Sequence, residues 1–238
     1  MKIEIIRTGK STAQANMDFD SALLKEIDKS PVPILHLYDW IKPSATYGYF
    51  SKPEELLDPE GIVNYSLDLG KRPTGGGIIF HLTDFAFSFL VPAEHPKFSL
   101  NTLENYTFVN SIVAEAIRQF SKKHVVPRLF TPEDISEGRR SADFCMARPT
   151  IYDIMIEGKK VGGAAQRQTR KGYLHQGSVL LTEPPAHMIH ALLSDKGSIA
   201  NDMGKKGRPI LLDQTDSGSP EELREEFQNR LIKTFLSG

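Results

Sequence analysis

The sequence predicts an α+β protein, a mixed and mostly antiparallel sheet flanked by helices. Two observations predict it. Apolar runs rich in aromatic and branched residues come in neighbouring pairs joined by turn chemistry. Stretches with helical spacing fall between those pairs rather than after every strand. No internal repeat is visible.

Taken in order, residues 2–7, KIEIIR, read as a strand. Residues 16–28 read as a helix, because Phe19, Leu23 and Ile27 recur at four-residue spacing with Leu24 beside them. Asn16 is placed to cap it. Residues 33–40 and 45–50 read as strands separated by a Pro-containing turn, and KPEELLD as a short helix with Pro53 in its first turn. Residues 76–91 read as a bent strand pair. Residues 100–122 carry the clearest helical face, made by Val109, Ile112, Val113, Ala116, Ile117 and Phe120. Residues 150–181 read as three strands joined by tight turns at EGKK and RKG, with Glu157-Gly158 as hairpin chemistry. AHMIHALLS is a helix, and residues 219–236 are another, with Ser219 as cap and Pro220 in its first position. The Gly- and Ser-rich stretch between them is expected to be loop.

The chain has 238 residues, enough to bury a substantial core, and is read as a single catalytic-type domain over 1–238. A formal net charge of −1 supplies no basic field for nucleic acid. One cysteine, Cys145, permits no internal disulfide. No apolar stretch is long enough to span a membrane, and the N-terminus lacks a signal-peptide pattern. These point to a cytoplasmic protein with neither nucleic-acid nor membrane partners.

Five candidates for chemistry stand out. TGKST at 8–12 imitates a phosphate loop, but that loop needs glycine where Glu4 stands; a polar loop is the better reading. His187 and His190 share a helix face without a carboxylate or cysteine at ligand spacing, so no metal site is expected, with His190 partly packed and His187 exposed. Cys145 reads as a small buried hydrophobe unless a cation such as Arg139, Arg140 or Arg148 activates it. Two stretches of small residues, Gly75, Gly76 and Gly77 after Arg72, and Gly162, Gly163, Ala164 and Ala165 after Lys159 and Lys160, are each either a solvated loop or a bare wall against which a ligand lies beside a cation.

These residues carry a resemblance. RPTGGGIIFH, GKKVGGAAQ and LHQGSVLL are similar, in that order, to the motifs of the lipoate–protein ligase A family, and NMDFDSALL and LYDWIKPSATYGYF resemble its N-terminal segments. That family's catalytic domain is shared with octanoyltransferases of the lipoyl pathway and with biotin–protein ligases. The likeness runs from about residue 15 to 195. The family usually has Ser where Gly163 stands, a second His where Gln176 stands, and Gln or Asn where Ser51 stands.

The resemblance implies the biotin/lipoate ligase fold and a pocket for a lipoyl or fatty chain along the glycine strand. It implies Lys160 as the catalytic lysine. Arg72, Gly75, Gly76, Gly77, His81, Gly162, Gly163, Ala164 and His175 are implied as substrate-binding residues, with Arg72 at the activated carboxyl end or its phosphate. The acyl group ends as an amide on the lysine of a lipoyl carrier domain, of a 2-oxoacid dehydrogenase or of the glycine cleavage H protein. Two chemistries are implied. A ligase uses ATP with Mg²⁺ and free lipoate or octanoate through an acyl-adenylate, with no tightly bound cofactor. An octanoyltransferase takes octanoyl from acyl carrier protein onto a cysteine, here Cys145, fifteen residues before Lys160. Gly77 matches the ligase form of the glycine motif and tips the reading to the ligase. The separate C-terminal domain of many bacterial ligases is not expected. A non-catalytic lipoyl-domain binder is a third reading, which Ser51 and Gln176 keep open and Lys160, Arg72 and the glycine strand oppose. A biotin pocket is a fourth.

Overall fold

The computed structural model describes residues 1–121, 125–131, 150–194, 207–211 and 218–237. In chain order the elements are β1 (Glu4–Ser11), α1 (Ala13–Glu26), β2 (Ile34–Trp40), β3 (Ser44–Tyr47), α2 (Pro53–Leu56), α3 (Pro59–Asn64), β4 (Asp68–Lys71), β5 (Ile78–His81), β6 (Asp84–Pro92), α4 (Thr102–Phe120), β7 (Arg128–Leu129), β8 (Ile154–Ile156), β9 (Lys159–Thr169), β10 (Gly172–Leu180), α5 (Ala186–Leu192) and α6 (Pro220–Ser237).

Seven strands form one sheet in the order β1-β2-β6-β10-β9-β8-β7, and β4-β3-β5 form a second. Parallel pairing is confined to β1 with β2 and β3 with β4; the other pairs are antiparallel. The sheet is therefore mixed and mostly antiparallel, as the hairpin pattern predicts.

Every residue of β6 is buried, which requires cover on both faces of the sheet. On one face Leu35, Leu37, Phe85, Phe87, Phe89 and Val179 pack against Val109, Val113 and Ile117 of α4 and Phe227, Leu231 and Phe235 of α6. Phe89 stacks on Phe235 with ring centroids 4.5 Å apart. Burying each such aromatic contributes roughly 1.5–3 kcal/mol, so this face holds the sheet and the two long helices together. The other face meets α1 and the second sheet.

Local chemistry sets the helix ends. Ser219 and Glu222 exchange hydrogen bonds at the start of α6, Ser219 N donating to Glu222 Oε2 at 2.6 Å and Glu222 N to Ser219 Oγ at 3.3 Å. α1 starts earlier than its apolar spacing suggests: Thr12 caps it by accepting from Ala15 N at 3.2 Å. Asn16 lies inside the helix and donates to Asp39 O at 3.0 Å.

Other expectations change too. TGKST is not a loop: Thr8 to Ser11 extend β1, with a register shift between Arg7 and Gly9. The 45–50 strand ends at Tyr47. The 76–91 pair divides between the two sheets, β5 in one and β6 in the other. α3, β4 and β7 were not expected; they are short, and tertiary pairing rather than periodicity defines them. His187 is exposed as expected, and His190 is exposed rather than partly packed. Among the described residues no cluster of His, Cys, Asp or Glu could hold a metal, and no helix is long and apolar enough to cross a membrane.

Candidate active site

β9 begins at a hairpin whose turn, Glu157-Gly158, has positive φ at both residues, 51° and 75°. Such a turn joins two strands tightly. Next comes an irregularity that decides which residues face the site. Met155 of β8 pairs with Lys160 and Ile154 with Gly162, so Val161 is an extra residue on β9. Val161 belongs to the core under α4 and α6, and a Cβ on Gly162 would meet Val179 and Ile154 of that same core. Two successive residues thus turn to one face, and the bulge resets the alternation. Lys160 then shares the opposite face with Gly163 and Ala165.

Lys160 is 3% exposed, and its Nζ lies 2.7 Å from Asp153 Oδ2. Asp153 Oδ2 also accepts from Thr150 N at 2.6 Å and Thr150 Oγ1 at 3.0 Å. A buried ammonium is tolerable only when paired and hydrogen-bonded, and this carboxylate supplies the pair. A Cβ on Gly163 would stand 2.7 Å from Lys160 Nζ. The ammonium occupies room that a side chain at 163 would contest. Lys159, one residue earlier, is exposed.

The glycine run is a loop leading into β5, not a strand. Arg72 is 3% exposed and braces it from beneath. Its Nη1 donates to Thr46 O and Thr46 Oγ1, both at 2.8 Å, and its Nη2 to Gly75 O at 3.1 Å and Gly77 O at 2.7 Å. Ser51 Oγ donates to Gly76 O at 2.8 Å. The chain after β3 passes so close that a Cβ on Gly48 would lie 1.9 Å from Gly76 O. Gly76 itself has φ 92°, which favours glycine.

His81 sits just beyond the loop. Its Nε2 is 2.8 Å from Thr46 Oγ1, its Nδ1 is 2.7 Å from Asp84 Oδ2, and its ring stacks on Trp40 at 4.2 Å. Ser178 Oγ of β10 donates to Asp84 Oδ2 at 2.6 Å. Burial opposes ionisation of Asp84, but the charge and hydrogen bond from His81 and the Ser178 hydroxyl outweigh it and hold the carboxyl below the usual range.

The structure therefore gathers Lys160, Gly163, the Arg72-braced glycine loop and His81 around one face of the sheet. Gly162, Ala164 and His175 lie on the other face. His175 is fully buried, with Phe87 and Tyr106 rings 6.1 and 5.7 Å away. Gln166 Nε2 donates to its Nδ1 at 2.8 Å. Burial pushes its pKa down to about 3, so the ring is neutral near pH 7. Sequence reasoning missed Asp153, Asp20 and Ser178. Asp20 had a signal: it is an acid on the apolar stripe of Met17 and Leu24. Cys145, with Arg139, Arg140 and Arg148, lies outside the described residues.

Residues 12–217 match the model of the lipoyl protein ligase A/B catalytic domain. The chain belongs to that family. It is 28% identical over 230 residues to the octanoyltransferase LipM of Anoxybacillus flavithermus, covering 95% of this chain and 75% of that protein. It is 31% identical over 181 residues to the octanoyltransferase LipM of Geobacillus kaustophilus, covering 74% of this chain and 64% of that one. The chain thus spans less than two thirds of some of the relatives it matches. Among solved structures it superposes on lipoate-protein ligase A bound with ATP at a TM-score of 0.74 and 21% identity, covering 100% of this chain and 85% of the other. It superposes on the bipartite lipoate protein ligase from Thermoplasma acidophilum, described with its E2 lipoyl domain, at 0.73 and 20% identity, covering 100% and 83%. These likenesses establish the lipoate ligase fold.

Proposed function

We propose that this chain moves an octanoyl or lipoyl group onto the lysine amine of a lipoyl carrier domain, and that it does so as an octanoyltransferase. The observation that carries the acyl-transfer reading is Lys160, a buried ammonium fixed by Asp153 beside the bare Gly163 position. A fixed cation in a water-poor site stabilises the negative oxygen that develops when a carbonyl is attacked. The octanoyltransferase branch is favoured by the relatives, which carry that name across most of this chain.

In this reading the Cys145 thiolate attacks the thioester carbonyl of octanoyl-acyl carrier protein. The carrier's thiolate leaves and takes up a proton, and octanoyl-Cys145 remains. The carrier-domain lysine, as free amine, then attacks that thioester, loses a proton and forms the amide, and the Cys145 thiolate is released. Lys160 donates to the oxyanion in both steps. The role of Cys145 rests on the sequence. Gly77 favours a second reading, the ligase, in which ATP with Mg²⁺ activates free lipoate and Cys145 has no chemical part.

One experiment separates them. The protein is incubated with a lipoyl domain and either octanoyl-acyl carrier protein or lipoate with ATP and Mg²⁺, and intact masses are read. The transferase predicts an octanoylated domain without ATP and an octanoyl adduct on the protein that Cys145→Ala abolishes. ATP-dependent lipoylation that survives Cys145→Ala makes the ligase correct. Neither product rejects both and leaves a binding protein.

A further inference from the structure

A second buried polar cluster lies beside the site, and the chemistry above does not use it. Its centre is Asp20 of α1, which is fully buried. Asp20 Oδ1 is 2.7 Å from His36 Nδ1, and Asp20 Oδ2 accepts from Ser88 Oγ and from Gln176 Nε2, both at 2.6 Å. Gln176 Nε2 also lies 3.2 Å from Met17 Sδ. The other end of the Gln176 amide, Oε1, accepts from Thr74 Oγ1 at 2.7 Å. Thr74 is 1% exposed and immediately precedes the three glycines. Its carbonyl accepts from Tyr49 N at 2.9 Å.

The directions of these bonds follow from the orientation of one amide. Gln176 turns its NH₂ towards the Asp20 carboxyl. Its oxygen is then left facing Thr74, and the Thr74 hydroxyl must donate. The threonine proton, the amide and the carboxylate form one polarised line from the loop to α1. Among the side chains in these contacts, Gln176 alone touches both the loop and Asp20.

We propose that Gln176 is a positioning residue, the joint through which the buried Asp20 carboxylate fixes the height of the glycine loop over the sheet. Arg72 braces the loop through Gly75 and Gly77; Gln176 anchors it at Thr74, from the opposite strand layer. The anchor sets the loop in its acyl-binding position before substrate arrives, so its loss weakens binding of the acyl donor and spares the chemical step. The kinetic part of this inference rests on the acyl-transfer reading; the structural part does not.

The test uses the full chain. Gln176→Met keeps the length and removes both bonds; Thr74→Val keeps the shape and removes one; Thr74→Ser restores the hydroxyl. Two readouts are taken: kinetics with octanoyl-acyl carrier protein, and amide hydrogen exchange at Tyr49 and across residues 74–77. We expect Gln176→Met and Thr74→Val each to raise KM about tenfold with kcat changed less than about threefold, the size of one lost buried hydrogen bond. The double variant should lose no more than either single one, since both cut the same line. Exchange should quicken in both and recover in Thr74→Ser. Unchanged exchange, a double variant whose losses multiply to about a hundredfold, or a fall in thermal stability with KM unmoved would each overturn the proposal. Quickened exchange in a protein with no activity on octanoyl-acyl carrier protein supports the anchor and rejects the octanoyltransferase reading instead.

Discussion

The two faces of β6 and β10 carry different kinds of contact. On one face Phe85, Phe87, Phe89, Tyr173 and Val179 meet α4 and α6, with His175 held neutral among them. On the other face, Ser88, Gln176 and Ser178 of the same strands bond to Asp20 and Asp84. One pair of strands thus keeps packing and chemistry a strand's thickness apart. The apolar face supplies stability without direction. The polar face fixes directions, and each of its charges is tolerable only because it is bonded.

The comparison is broken most directly at Lys160. Lys160→Ala should lower acyl transfer on the order of 10³-fold, as loss of a charge stabiliser does, while far-ultraviolet circular dichroism stays that of a folded protein. Lys159→Ala should stay within about twofold, because alternate residues of a strand face opposite ways. Equal losses from the two would place the chemistry elsewhere.

The apolar face should answer in the other currency. Phe87→Ala is expected to cost about 3–5 kcal/mol in denaturant unfolding, with kcat of the folded fraction little changed. A kcat loss as large as that of Lys160→Ala would mean the faces are not separable.

His175 sharpens the contrast at acid pH. Its folded pKa, about 3, lies below the unfolded value. Its neutral ring is therefore compatible with folding above about pH 6.5, and stability is lost as pH falls from there towards 3. Between pH 7 and pH 5 the loss from this one group should approach about 2 kcal/mol. His175→Phe should flatten that part of the stability curve by about the same amount. A variant that keeps the full acid slope would show that other groups carry it.

Much of this was legible in the sequence, unevenly. The fold class followed from paired strands, from the apolar face of α4 and from the cap residues of α6, because those patterns are local. Lys160 was legible through its small neighbours and the family likeness. What could not be read was which face each small residue takes. Gly162, Gly163 and Ala164 look alike in a row, and only pairing with β8 shows that Val161 is an extra residue. The glycine loop has the same lesson. Its neighbour Gly48 is distant in sequence, and Arg72 reads as a ligand-facing cation until its four carbonyl and hydroxyl partners are in view.

That extra residue has a consequence for how β9 can vary. Deleting Val161 would leave every residue type of the site in the chain and the hairpin turn intact. It would also leave Gly162 alone between Lys160 and Gly163, so plain alternation would keep the ammonium on the Gly163 face, while the core beneath α4 and α6 would lose a side chain. The bulge thus seats one more side chain in the core without moving the lysine off the face it shares with Gly163.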